Sequence, residues 1–367
     1  MNRNLKLFCG FLTIFIVLWG ILSGVFWLNL YNHQIQGKSW LPSTPEEQGI
    51  DSETLDQIIQ SIKQQNLAID SLLILRHGYL VIEEYLNLEE YLSHTQSNQD
   101  NMHSLYSTTK SFTSALIGIA IDKGYIDNLS LKVVDFFPEY EIKNLDVRKR
   151  NMTLHHLLTM TSGFEFSGDN AYEMLRSGNS VNYMLDLPMK YNPGSKLEYI
   201  TGVTHLLSAI IQKTTGKTTL EFARKYLFNP LGINTVQWTY DRQNINHGDH
   251  GLSLTSRDMA KFGSLYLNNG TWNGKQIIST DWVIKSTQTY NLFEEYSGYG
   301  YKWYTDISGY GYQWWTFPEI NVYYTKGYHG QNIFVAPEKD LVVVFTANLS
   351  NDLTTDDYFL SIFSAVN

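Results

Sequence analysis

The sequence predicts an α+β fold: an α/β sandwich, with one antiparallel sheet flanked by helices, carrying an all-α lobe. Three observations predict it. Two apolar runs separated by His77-Gly78 read as an early β-hairpin. From Val133 to about Gln237 the pattern is helical, with turns and little alternation. Strand-like runs then return between Asn321 and Asn348. The simplest assembly is one sheet built from both ends of the chain. This gives a catalytic domain over 49–367, with 49–132 and 246–367 as the α/β lobe and 133–245 as the helical lobe. A cleft between the lobes is where a site belongs.

Bulk properties set the frame. The 367 residues suffice for a large core. An apolar fraction of 43% with 14% aromatic residues describes a folded protein. The net charge of -9 argues against a nucleic-acid groove. Cys9 is the single cysteine, so neither an intrachain disulfide nor a cysteine metal site is available.

Residues 1–31 read as a cytoplasmic N-terminus and a transmembrane anchor. Leu7 to Leu28 carries no charge and is about as long as a bilayer-spanning helix. Arg3 and Lys6 precede it and favour a cytoplasmic N-terminus. Trp27 and Tyr31 suit the membrane interface, and the exit offers no small-x-small cleavage site. An uncleaved single-pass anchor with an extracytoplasmic domain is expected; a cleaved signal peptide is the alternative. Residues 32–48, with Pro42 and Pro45, read as a linker.

A helix opens at Asp51 or Ser52, with Leu55, Ile58, Ile59 and Ile62 as its apolar face. Ile69–Arg76 and Tyr79–Tyr85 form the hairpin. A helix apolar nearly all round follows, through Ala115 to Ile121, and ends at Lys123-Gly124. Thr153 caps a helix stopped at Ser162-Gly163. Further helices run over 180–187, 204–214 and 220–227. Strands are expected over 321–327, 332–337 and 341–348, and a closing amphipathic helix over 356–366. The aromatic stretch Tyr296 to Trp315 either lines the cleft or packs the core.

Ser107 and Lys110 stand three apart at the mouth of the buried helix, on one face. A serine hydroxyl beside a lysine is a nucleophile with a base. Burial lowers a lysine pKa, which is what a base near neutral pH needs. By itself the spacing recurs by chance. His155, His156 and His247 lack spaced carboxylates and read as structural, so no metal site is expected.

Several segments, in order, carry a resemblance. Ser107-Thr108-Thr109-Lys110, Leu157 to Gly163, Gly251 to Gly263, and Gly330 to Pro337 followed by Leu341 to Asn348 resemble the serine β-lactamase and penicillin-recognising superfamily. The similarity lies with its class C-like branch, which includes esterases, DD-carboxypeptidases and aminohexanoate-oligomer hydrolases. It covers roughly Leu41 to the C-terminus and implies a β-lactamase/transpeptidase-like fold without cofactor.

The resemblance also implies roles. Ser107 is the nucleophile, with Lys110 and Tyr199 as proton-transfer groups. Tyr199 stands in the family's Tyr-x-Asn motif, with Thr201 replacing the asparagine. A neighbouring ammonium is expected to ease ionisation of Tyr199. Thr325-Lys326-Gly327 occupies the Lys-Thr-Gly place shifted by one, so Thr325 faces the cleft and Lys326 points away. Tyr328 N–H pairs with Ser107 N–H as an oxyanion hole. A register placing His329-Gly330 at the cleft stays open. His250 falls where aminohexanoate hydrolases carry a pocket histidine. The implied activity is hydrolysis of an ester or small amide through an acyl-enzyme. The alternatives are a cell-wall DD-peptidase and a non-catalytic penicillin-binding sensor. No obligate protein partner is evident.

Overall fold

The computed structural model describes residues 40–86, 99–292, 308–350 and 353–367. The apolar run Leu7–Leu28 lies outside them. Among the described residues no helix is long and apolar enough to cross a membrane.

The chain order is β1 (Leu41–Pro42), α1 (Ser52–Gln64), β2 (Ile69–Arg76), β3 (Tyr79–Tyr85), β4 (Met102–Ser104), a 3-10 turn (Tyr106–Thr108) and α2 (Thr109–Asp122). The helical region follows: α3 (Val147–Asn151), α4 (Leu154–Leu158), α5 (Gly168–Arg176), α6 (Ser180–Asp186), α7 (Thr201–Thr215) and α8 (Thr219–Ala223). Then come β5 (Gln237–Trp238), β6 (Leu252–Thr255), α9 (Ser256–Leu267), β7 (Thr271–Trp272), β8 (Lys275–Gln276), α10 (Thr280–Thr287), β9 (Asn291–Leu292), β10 (Gly309–Tyr310) and β11 (Trp315–Phe317). The chain closes with β12 (Val322–Gly327), β13 (Gln331–Ala336), β14 (Leu341–Ala347) and α11 (Leu353–Ser364).

Among the described residues one sheet runs β1-β3-β2-β14-β13-β12-β11-β10-β9, so both ends of the chain meet at the β2–β14 pair. That pairing is antiparallel, as are β12–β13 and β13–β14. The hairpin turn suits its residues: His77 and Gly78 both take positive φ, at 51° and 78°. Asp51 caps α1 by accepting from Thr54 N at 3.2 Å.

Alternation along β13 sets the layers. Ile333 faces α9, where a Cβ on Gly263 would lie 2.7 Å from its Cγ2. Phe334 faces the opposite side and stacks on Phe359 of α11 at 4.2 Å. A second helical layer lies on α9, where Phe112 of α2 stacks on Phe262 at 3.8 Å. α7 packs on α2 from the helical region. The helix α2, buried from Thr109 to Ala120, thus lies between α9 and the helical lobe.

Several boundaries differ from the sequence reading: residues 41–42 of the expected linker form β1, parallel to β3, and the closing helix starts at Leu353, not Asp356. α7 starts at Thr201, not Thr204. Thr201-Gly202 adds no apolar period, yet Gly202 is where the helix closes on the sulfurs of Met174 and Met184.

Candidate active site

Ser107 sits in the 3-10 turn just before α2, and Lys110 is in the first turn of that helix. Tyr106, immediately before Ser107, has φ +46°, a costly value for a bulky residue. The turn is pinned from behind. Thr108 Oγ1 donates to Gln331 O at 2.6 Å and lies in hydrogen-bond contact with Thr325 Oγ1 at 3.0 Å.

Lys110 is 1% exposed. Its Nζ donates to Ser107 Oγ at 3.0 Å, Thr201 Oγ1 at 3.1 Å and the carbonyl of Asp249 at 3.0 Å. Burial lowers its pKa to about 8, against a smaller opposing pull from the Asp249 carboxylate. Lys110 is therefore partly unprotonated in mildly alkaline water.

Tyr199 reaches the same point from the helical lobe. Its hydroxyl hydrogen-bonds Ser107, and Lys110 Nζ lies 5.1 Å from its ring centroid. Easy ionisation of Tyr199 is corrected by the structure. Burial pushes its pKa up and outweighs the Ser107 hydrogen bond, and the Asp249 charge adds to the rise. Tyr199 stands as a protonated donor.

The recognition positions are also revised. Thr201 Oγ1 donates to Asp249 Oδ2 at 2.7 Å while accepting from Lys110, so its hydroxyl serves the lysine. Thr325 is fully buried, and its hydroxyl links Thr108 to the N–H of Ile333 at 3.0 Å. It is a brace for the nucleophile turn, not a cleft residue. Lys326 points to the other face and forms a buried ion pair with Asp356. Gly327 pairs with Gln331, which fixes the register and leaves His329-Gly330 in the turn. The absent Cβ of Gly327 lets β12 close on Leu105 O, where any side chain would collide. Tyr328 follows directly; its ring, 38% exposed, meets Tyr106 edge-on at 5.7 Å.

His250 is half-buried, with Nδ1 at 3.0 Å from Asp249 Oδ2. The Asp249 charge raises its pKa against an opposing burial effect. Asp249 was not singled out by sequence reasoning. Burial works against its charge, but His250 and then Lys110 hold its carboxyl well below the usual range. No motif signals Asp249; only its position beside His250 hinted at it.

As far as it is described, the aromatic stretch packs in the interior, part of it against Tyr199. Trp315 and Tyr310 pack on Tyr199 at 5.8 and 6.1 Å, whereas Trp314 is core, 4.4 Å from Tyr266. Residues 293–307 lie outside the described residues.

Known proteins resemble the chain in sequence and in fold. The Beta-lactamase family profile matches residues 55–360. The 6-aminohexanoate-dimer hydrolase of Paenarthrobacter ureafaciens is 24% identical over 337 residues, 83% of this chain and 79% of that protein. Esterase EstB of Burkholderia gladioli is 21% identical over 189 residues, 47% of this chain and 48% of its own. Among solved structures, the octameric penicillin-binding protein homologue from Pyrococcus abyssi superposes with a TM-score of 0.68 at 21% identity, covering 86% of this chain and 78% of that one.

Proposed function

The chain belongs to the Beta-lactamase family and is a serine hydrolase, and we propose that it works through an acyl-enzyme on a neutral ester or small amide. The observation that carries the mechanism is the 3.0 Å contact between Lys110 Nζ and Ser107 Oγ, with the amine buried and its pKa near 8.

In this reading neutral Lys110 takes the Ser107 proton as Oγ attacks the carbonyl carbon. The oxyanion forms at the N-terminal end of α2, against the N–H groups of Ser107 and Tyr328. Tyr199, still protonated, gives its proton to the leaving oxygen or nitrogen and regains one from the Lys110 ammonium. Water then attacks the acyl ester, and Ser107 recovers its proton. The substrate class rests on two features. Lys326 is committed to Asp356, so the third-motif cation is turned away from a substrate carboxylate. The exposed aromatic surfaces of Tyr106 and Tyr328 beside Ser107 suit an apolar acyl or leaving group. The charge-free run Leu7–Leu28 supports placing this enzyme outside the cytoplasm on a membrane anchor.

The test treats the protein and Ser107→Ala with a p-nitrophenyl ester, a fluorophosphonate probe and a fluorescent penicillin. Ester turnover and probe labelling, both lost in Ser107→Ala, are expected. Stable penicillin labelling without ester turnover would favour a DD-peptidase or sensor instead. No labelling by any reagent would remove Ser107 as the nucleophile.

A further inference from the structure

Behind Lys110 lies a second cluster, joined to the site through Asp249. The segment Asn246–His250 is held tightly between α2 and α7. Ser208 Oγ donates to Asn246 O at 2.6 Å, Thr113 Oγ1 to Gly248 O at 2.7 Å, and Lys110 Nζ to Asp249 O. Gly248 permits this, since a Cβ there would collide with Thr204 O. The result sets His247 and Asp249 against His205 of α7. His247, read from sequence as merely structural, acquires two neighbours of ligand type.

One ligand atom from each of His205, His247 and Asp249 lies within 4.8 Å of the other two. The three residues are 0%, 8% and 3% exposed. Among the described residues His205 Nδ1, His247 Nδ1 and Asp249 Oδ1 are all buried without a hydrogen-bond partner. Unmet polar atoms in a folded interior are uncommon, and three on adjoining side chains point to one cause.

The hydrogen bonds around the cluster show what kind of atoms are left over. His205 Nε2 lies 3.0 Å from Asp241 Oδ2. An ionised carboxylate only accepts, so Nε2 carries the hydrogen, and in that tautomer Nδ1 is the nitrogen able to bind a metal. A carboxylate behind an imidazole is the usual support of a metal-ligating histidine. Asp241 is itself held, its Oδ1 accepting from Gln243 N at 2.8 Å and Ile245 N at 3.0 Å. On Asp249, Oδ2 is taken by Thr201 and His250, which leaves Oδ1 as a bare acceptor.

We infer that His205, His247 and Asp249 form a binding site for a divalent transition-metal ion, with Zn²⁺ the best match to two imidazoles and one carboxylate. Atoms mutually within 4.8 Å lie no more than about 2.8 Å from a common point, so shifts under about 1 Å bring them to zinc-bond length. On its outer side His247 stacks on His250 at 4.3 Å, and the His250 side chain is 37% exposed. The ion would take no part in acyl transfer. It would grip Asp249, the residue whose carbonyl and carboxylate position Lys110 and Thr201.

The test titrates the chelator-stripped full chain with zinc chloride by calorimetry and follows thermal unfolding with and without zinc. One equivalent binds, and the unfolding midpoint rises with zinc. His205→Gln and His247→Gln each weaken binding by about 100-fold or more, and Asp241→Asn by about 10- to 100-fold. His156→Gln, outside the cluster and able to keep its helix cap, binds as wild type. If a ligand variant fails to fold, Asp241→Asn and the wild-type stoichiometry decide the matter. Less than stoichiometric zinc on the wild type, or unchanged affinity in the folded cluster variants, overturns the site and leaves a water pocket.

Discussion

The Thr201 hydroxyl donates to Asp249 Oδ2 at 2.7 Å and so presents its lone pair to Lys110 Nζ at 3.1 Å. The lysine ammonium has three protons and here has three acceptors: Ser107 Oγ, Thr201 Oγ1 and Asp249 O. Loss of one proton leaves two to be held by Thr201 and Asp249, and frees a lone pair toward Ser107. The threonine that stands in place of the family's asparagine thus orients Lys110, the proposed base.

Thr201→Val keeps the shape and removes both hydrogen bonds. We expect ester kcat to fall about 10- to 100-fold with KM little changed, since the loss is one of orientation. Steady-state kinetics on a p-nitrophenyl ester reads this directly. A KM effect with kcat preserved would move Thr201 to substrate binding.

The pH profile tests Lys110 itself. Burial lowers its pKa to about 8, and in the proposed mechanism the active form is the unprotonated one. Ester kcat/KM should therefore rise with pH, about tenfold per unit well below that value, and level off above it. The measurement belongs in chelator-containing buffer. Tyr199, raised by burial, adds no activating step in that range. A profile flat between about pH 6 and 9 would remove Lys110 as the base.

Gly327→Ala probes the oxyanion side. Any Cβ on Gly327 collides with Leu105 O, two residues before the nucleophile, so the strand end must move away from Ser107. A shift of this kind costs about 10²–10³ in kcat, as losing one oxyanion donor does. Probe labelling should slow in parallel at temperatures where the variant is folded, and the unfolding midpoint falls as well because the collision is with backbone.

Local patterns made much of this legible in advance. The β2–β3 hairpin followed from alternation and a His-Gly turn. The strands β12 to β14 followed from apolar runs with turn residues between them. Ser107 and Lys110 were visible as a spacing on one helix face, and Tyr199 through its place in a motif. What stayed hidden depends on how distant segments thread. Asp249 matters because residues 246–250 are drawn between α2 and α7, which no periodicity records. His205 reads as one more helix residue until Asp241 and His247 arrive beside it. The pKa of Tyr199 was expected to follow the nearby ammonium, but depth of burial decided its direction, and burial is a property of the assembled fold.

Lys326 and Asp356 separate stability from catalysis. They form a buried pair on the face of β12 opposite the site, thirty residues apart in sequence. Lys326→Met leaves the Asp356 carboxylate buried without its cation, and burial already raises that group's pKa. A loss of about 3–5 kcal/mol in unfolding free energy is expected. Adding Asp356→Leu removes the stranded charge, so most of the loss should return. Ester kcat in the folded fraction should stay near wild type in both proteins. Denaturant unfolding of the two variants, with kinetics on the same samples, distinguishes the cases. A kcat loss that the double variant fails to restore would mean that Lys326 serves the cleft after all, and would reopen anionic substrates for this enzyme.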